Sequence, residues 1–268
     1  MIYVGPAATR DQLLEYATPL AQHVASALTL VTGDGTGSDV LLHEAQQRLA
    51  LPNTLPVTAL ALPGDASHAI LSAAEQQSFD LVVFGRLRRP LTHLLPRSRS
   101  KVIAQRLHPS VLRIQGKVNP IRRLLVASGG DYHTYSDVRV AAQIAQPLQA
   151  EITLMHIVSQ QSLVFEGFHP RQIDVEEFLS GSSAEAGTLR IAAASLRERG
   201  INVNLRGRSG PVLDELLDEL RSGRYDMLVI GAHSIARPLD RMLLEDIAGE
   251  LLDMSPIPVL VVKGYAAA

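Results

Sequence analysis

The chain writes one pattern twice, and that repetition constrains its fold more than any other feature. DLVVFG (residues 80–85) leads into the basic stretch RLRRPLTHLLPRSRS, then VIAQRL and the apolar run SVLRI. DMLVIG (residues 226–231) leads into AHSIARPLDRMLLED, then IAGELL and the apolar run IPVLVV. Short apolar runs bounded by glycine fit buried strands; a helix needs about ten residues of 3.6-residue periodicity.

The order ahead of each ending repeats too. In the first half MIYVG, ALTLVTG and LPVTALAL read as strands, interleaved with the helical patterns TRDQLLEYATPLAQHVA, SDVLLHEAQQRLA and DASHAILSAAEQQ. In the second, IRRLLVAS, EITLMHIV and INVNLRG read as strands, and TYSDVRVAAQIAQPLQA, SAEAGTLRIAAASLRERG and GPVLDELLDELRSG as helices. Strands alternating with helices require a mainly parallel sheet with helices on both faces. QGKVNP (residues 115–120) places Gly and Pro between the halves. The reading is two tandem open-sheet α/β domains of five strands each, residues 1–117 and 118–268, with any ligand edge at the carboxyl ends of the strands.

Composition narrows the function classes. With 46% apolar and 19% charged residues, the chain suits a packed core rather than disorder. It has no cysteine, so no disulfide, zinc–thiolate site or cysteine nucleophile is available. A net charge of −2, no tryptophan and only 4% aromatics speak against a nucleic-acid partner. No apolar run has bilayer-spanning length, and MIYVGPAATRDQ lacks the pattern of a signal peptide, so the expectation is a cytoplasmic protein with no membrane partner.

The endings RMLLEDIAGELLDMSPIPVLVV and HLLPRSRSKVIAQRLHPSVLRI resemble those of the universal stress protein family, and the resemblance covers nearly the whole chain in two repeats. It implies a Rossmann-like, adenine-nucleotide alpha-hydrolase-like fold and domains that pack through their last strands. A tandem chain is then an intramolecular pseudo-dimer, able in turn to form a homodimer. Members with the complete motif bind ATP: glycines let amides approach phosphates, a Gly-Ser pair opens a helix whose N-terminus attracts anions, and an Asp after the first strand holds the adenosine.

Both repeats depart from that motif. In repeat two Gly231 matches the first glycine, but Ser234 stands in the second position. Glu245-Asp246 replaces the Gly-Ser pair, and Ser128 replaces the Asp. Carboxylates there satisfy the helix dipole themselves and repel a triphosphate. In repeat one Gly85 matches, Arg97-Ser98 and Arg99-Ser100 replace the pair, and Arg86, Arg88 and Arg89 crowd the loop. Gly5-Pro6-Ala7 leaves no Asp after the first strand. Those arginines, with Ser98 and Ser100, either bind an anion such as Mg-ATP or meet acidic residues of repeat two. From Leu81 to Gly130 there is no acidic residue, whereas the matching part of repeat two carries Asp240, Glu245, Asp246, Glu250 and Asp253. Opposite charge at equivalent positions suits an interface with complementary sides.

Other constellations are weaker. Ser128-Gly129-Gly130-Asp131 resembles the Ser-Gly-Gly-x-Asp-Ser pyrophosphate loop of adenylating ATPases, but Asp131 arrives one residue early; the plain alternative is a glycine turn before a helix capped by Thr134 or Ser136. None of the nine histidines is paired at helical metal-ligand spacing. His156 reads as a core residue of its strand, and His233 as a loop residue able to face a ligand or join Glu245 and Asp246. The long connection 159–180, with Phe165, Phe168 and Phe178, reads as packing over the sheet edge or as cover for a cleft. The expectation is a non-catalytic, stress-response regulatory or interaction module with an unidentified protein partner and no resident cofactor. The alternatives are nucleotide or anion binding through the repeat-one loop, and an adenylating ATPase.

Overall fold

Each half alternates strands and helices because apolar residues recur at period two or three-to-four in successive segments. The computed structural model describes residues 1–5, 7–33, 35–87, 98–158, 178, 180–232 and 247–263. Repeat one runs β1 (Ile2–Tyr3), α1 (Ala7–His23), β2 (Leu28–Gly33), α2 (Ser38–Leu49), β3 (Val57–Leu62), α3 (Ala66–Gln76), β4 (Leu81–Phe84), α4 (Arg99–Arg106) and β5 (Ser110–Arg113). Repeat two runs β6 (Arg123–Ser128), α5 (Thr134–Leu148), β7 (Glu151–Val158), α6 (Ala184–Glu198), β8 (Val203–Ser209), α7 (Val212–Arg221), β9 (Met227–Gly231), a helix with described residues 247–254 (α8) and β10 (Val259–Val262).

The ten strands form one sheet, in the order β3-β2-β1-β4-β5-β10-β9-β6-β7-β8. Both halves therefore have the same internal order, and every pairing is parallel except one. β5 and β10 run antiparallel, with Val111 opposite Val261, Leu112 opposite Leu260 and Arg113 opposite Val259. The sequence reading of two five-stranded sheets becomes a single sheet because the last strand of each half finds its free edge covered by the other. Central strands are buried on both faces: all of VLVV in β10 is buried, as is MLVI in β9. That is the signature of strands sandwiched between helix layers. The outermost strands, β3 and β8, are only partly covered.

Alternate residues of each strand feed two apolar cores that span both repeats. One face packs Leu14, Leu20 and Leu42 with Val138, Leu189 and Leu196, so α1, α2, α5 and α6 share a layer. The other packs Ile70 and Ile103 with Leu216, Leu220 and Leu251, which joins α3, α4, α7 and α8. Polar bonds trim the junction. Tyr16 donates its hydroxyl to the Asp226 carbonyl at 2.8 Å, and Gln115 Nε2 bonds the carbonyls of Leu251 and Ser255 at 3.2 Å. The Asp226 carboxylate accepts from Asn119 Nδ2 and from the amides of Arg122 and Arg123, tying the connection between the repeats to the start of β9.

Gly116 is the tightest point of that connection. Its φ is +64°, and a Cβ there would lie 2.0 Å from the Pro256 carbonyl oxygen. Lys117 N–H bonds that same oxygen at 2.7 Å. Gly116→Ala is expected to cost about 2 kcal/mol or more, from backbone strain and forced displacement of Pro256. Gly35→Ala, where a Cβ meets nothing within 4 Å, is expected to be near neutral; urea unfolding of the two variants checks both.

Candidate functional site

In an open α/β sheet the ligand edge lies at the carboxyl ends of the strands, where the strand order reverses. Here that is beyond β1 and β4 in repeat one, and beyond β6 and β9 in repeat two. The chain thus presents two candidate edges.

In repeat one the edge is closed by a polar cluster that sequence reasoning did not find. Asp65 caps α3, accepting the His68 amide at 3.0 Å, and its other oxygen receives Arg99 Nη2 at 2.7 Å. Tyr3, at the end of β1, lies beside them: burial and the Asp65 carboxylate push its hydroxyl above the ordinary value of 10, against a backbone hydrogen bond from Gly33 and the charge of Arg99. Asp65 lies 34 residues from Arg99 in sequence, so no local pattern signals the pair. An incoming anion would compete with Asp65 for this guanidinium.

The predicted phosphate-facing residues separate. Ser98 stands at the N-cap of α4 but makes no cap bond; its hydroxyl donates to Asp253 of α8 at 2.6 Å. Arg113 Nη1 meets the same carboxylate at 2.7 Å and also donates to the Leu252 carbonyl. Asp253 is one of the acidic residues facing the acid-free stretch, so part of the charge contrast lies across the β5–β10 junction. Ser100 is buried in the first turn of α4, Gly85 is buried at the end of β4, and Arg86 is exposed. Nothing crowds Gly85: a Cβ there would meet Leu13 at 3.8 Å, an ordinary contact. Arg88, Arg89 and Arg97 lie outside the described residues.

In repeat two the Ser-Gly-Gly turn satisfies itself. Ser128 Oγ accepts the Gly130 amide at 3.0 Å and shares a 2.7 Å hydrogen bond with Thr134 Oγ1. Asp131 Oδ1 accepts the His133 amide at 3.0 Å. His156 Nδ1 donates to the Ser128 carbonyl at 2.9 Å, since a carbonyl oxygen only accepts. Phe178 stacks on the His156 ring with centroids 5.4 Å apart. Gly129 is exposed, but Gly130, at φ +80°, is covered: a Cβ there would lie 2.8 Å from Glu185 Cγ and 2.9 Å from His156 Cε1. Glu185, in the first turn of α6, was not anticipated; it lies far from the turn in sequence, and nothing local marks it. Gly231 is half-buried as the last residue of β9. His233, Ser234, Asp240, Glu245, Asp246, Phe165 and Phe168 lie outside the described residues. Among the described residues no cluster of three or more His, Asp or Glu could hold a metal ion, and no helix is long and apolar enough to cross a membrane.

The model of the family described as "Universal stress protein family" matches residues 120–263, more than half of the chain. The chain belongs to the universal stress protein family. Among solved structures, it is similar to a universal stress protein from Archaeoglobus fulgidus DSM 4304 (TM-score 0.67, 15% identity, 100% of this chain and 97% of that one). It is equally similar to one described as a putative universal stress protein from Pseudomonas aeruginosa UCBPP-PA14 (TM-score 0.67, 18% identity, 97% and 92%). At such identities these likenesses establish the Rossmann-like fold. No curated protein sequence matches the chain.

His156 gives the repeat-two edge a pH signature. Burial holds its pKa below the ordinary 6.5, against the hydrogen bond to Ser128 and the nearby Glu185 carboxylate, which both favour the charged form. The unfolded chain therefore binds the proton more readily than the folded one. This contribution to stability is complete above about pH 6.5 and is lost as pH falls towards the folded-state pKa. In thermal unfolding between pH 7.5 and 5, His156→Gln is expected to lose less stability than the parent; parallel curves would remove His156 as the group responsible.

Proposed function

We propose that this universal stress protein is a non-catalytic regulatory or interaction module whose nucleotide edges have been taken over by its own side chains. The observation that carries the reading is the repeat-two turn. Its Gly130 amide is already bonded to Ser128 Oγ, and Glu185 lies against the glycine a phosphate would approach. A carboxylate there opposes a triphosphate electrostatically. The same crowding speaks against an adenylating ATPase using Ser128 to Asp131, whose pyrophosphate needs open amides. Among the described residues of the repeat-two edge, the bonded Gly130 amide and the adjacent Glu185 speak against ATP with Mg.

A second reading, nucleotide or anion binding at repeat one, draws on a specific feature: α4 begins without a side-chain cap at Ser98 and with Arg99 in its first turn. Residues Gly85, Arg86, Arg99 and Ser100 would hold the phosphates there, once Arg99 leaves Asp65. Magnesium, if present, would supply charge neutralisation of the phosphates. Against it stands the commitment of Ser98 to Asp253 and of Arg99 to Asp65.

Isothermal titration of the full chain with Mg-ATP separates the two. The expected result is no saturable heat up to millimolar nucleotide. Micromolar binding lost in Arg99→Ala would overturn the leading reading in favour of repeat one. Binding that survives Arg99→Ala but vanishes in Gly129→Asp would return the nucleotide to repeat two.

A further inference from the structure

The opposite edge of the repeat-two sheet holds a wide concavity lined by described residues. At the amino ends of β6, β7 and β8, where α5, α6 and α7 finish, a groove of about 1000 Å³ opens. That is the upper end of the range of small-molecule sites. Its charged lining is Lys117, Arg122, Arg123, Arg199, Glu151 and Asp226, a positive excess on a chain of net charge −2.

The carboxylate of Asp226 is already engaged. It is 2% exposed, accepts from Asn119 and from the amides of Arg122 and Arg123, and lies 3.6 Å from Arg123 Nε. That balances Arg123. The side chains of Lys117, Arg122 and Arg199 are exposed and form no ion pair among the described residues. Basic residues at helix C-termini ordinarily answer orphan carbonyls, but here backbone amides do so: Ala150 N–H bonds the Ala145 carbonyl at 2.9 Å and Ile201 N–H the Leu196 carbonyl at 3.2 Å. Three cations converge on one groove with no structural duty that explains them.

We propose that this groove binds a small polyanion carrying two or more phosphoryl groups. Guanidinium forks match phosphate oxygens in pairs. Arg122 and Arg199 approach from different elements, the connection between repeats and the end of α6, so they can grip separate phosphoryl groups. Lys117 adds a third charge, and Glu151 is the one repulsive group of the lining that Asp226-type bonding does not absorb. The site is separate from the nucleotide edges, which lie at the carboxyl ends of the strands.

Isothermal titration of the full chain with inorganic tripolyphosphate, without magnesium and at low salt, tests this. The expected result is saturable binding that weakens about tenfold or more in the Arg122→Ala, Arg199→Ala double variant. It should tighten in Glu151→Gln, stay unchanged in Arg99→Ala at the other edge, and weaken as salt is added. Unaltered thermal unfolding of the double variant shows that the fold is kept. No saturable binding, or binding undiminished by the double substitution, would overturn the proposal. So would citrate or a hexaglutamate peptide binding more tightly than tripolyphosphate, which would assign the groove to carboxylates.

Discussion

The antiparallel pairing of β5 with β10 joins two parallel half-sheets that would otherwise each end in an open edge. Val111, Leu112, Leu260 and Val261 are at most 1% exposed, and burying such side chains is worth about 1.5–3 kcal/mol each. The ion pair between Arg113 and Asp253, partly exposed, is worth about 1 kcal/mol or less by comparison. Strand burial therefore holds the halves together, and the charges orient them. An unpaired apolar strand at the end of either half would invite aggregation; each repeat protects the other.

This junction also shapes the candidate sites. Bringing α4 against α8 sets Ser98 and Arg113 on Asp253, and packs the Lys101 side chain over Gly249, where a Cβ would meet it at 2.8 Å. A hydroxyl that in other circumstances could face phosphate is turned towards the second repeat. The repeat-two edge is filled from within its own half, by Ser128, Thr134, His156 and Glu185. The two edges are closed by different means, which fits halves that diverged after acquiring a common pattern.

Much of the fold was legible because period-two and period-3.6 patterns are local. The strands and helices named above were readable from runs such as LVVF and AAQIA; packing through the last strands followed from the family resemblance, but its antiparallel sense came from the structure. The charge contrast pointed to a meeting of basic and acidic stretches, and Asp253 with Arg113 is one such meeting. What escaped notice was non-local. Arg99 pairs with Asp65, and Glu185 covers Gly130, through folding that brings distant loops to one edge. His156 could be placed in the core from its strand, but its bond to the Ser128 carbonyl depends on the register of β6 against β7, where Ser128 is the partner of His156.

The central claim is that the β5–β10 seam makes one cooperative body of two repeats. Native-state hydrogen exchange at the amides of Val111, Leu112, Leu260 and Val261, followed against denaturant, tests it most directly. The account predicts that these amides exchange only through global unfolding, with the same free energy as the central amides of β4 and β9. Exchange of the seam through a lower-energy opening, while β4 and β9 stay protected, would contradict it and show two repeats that merely touch.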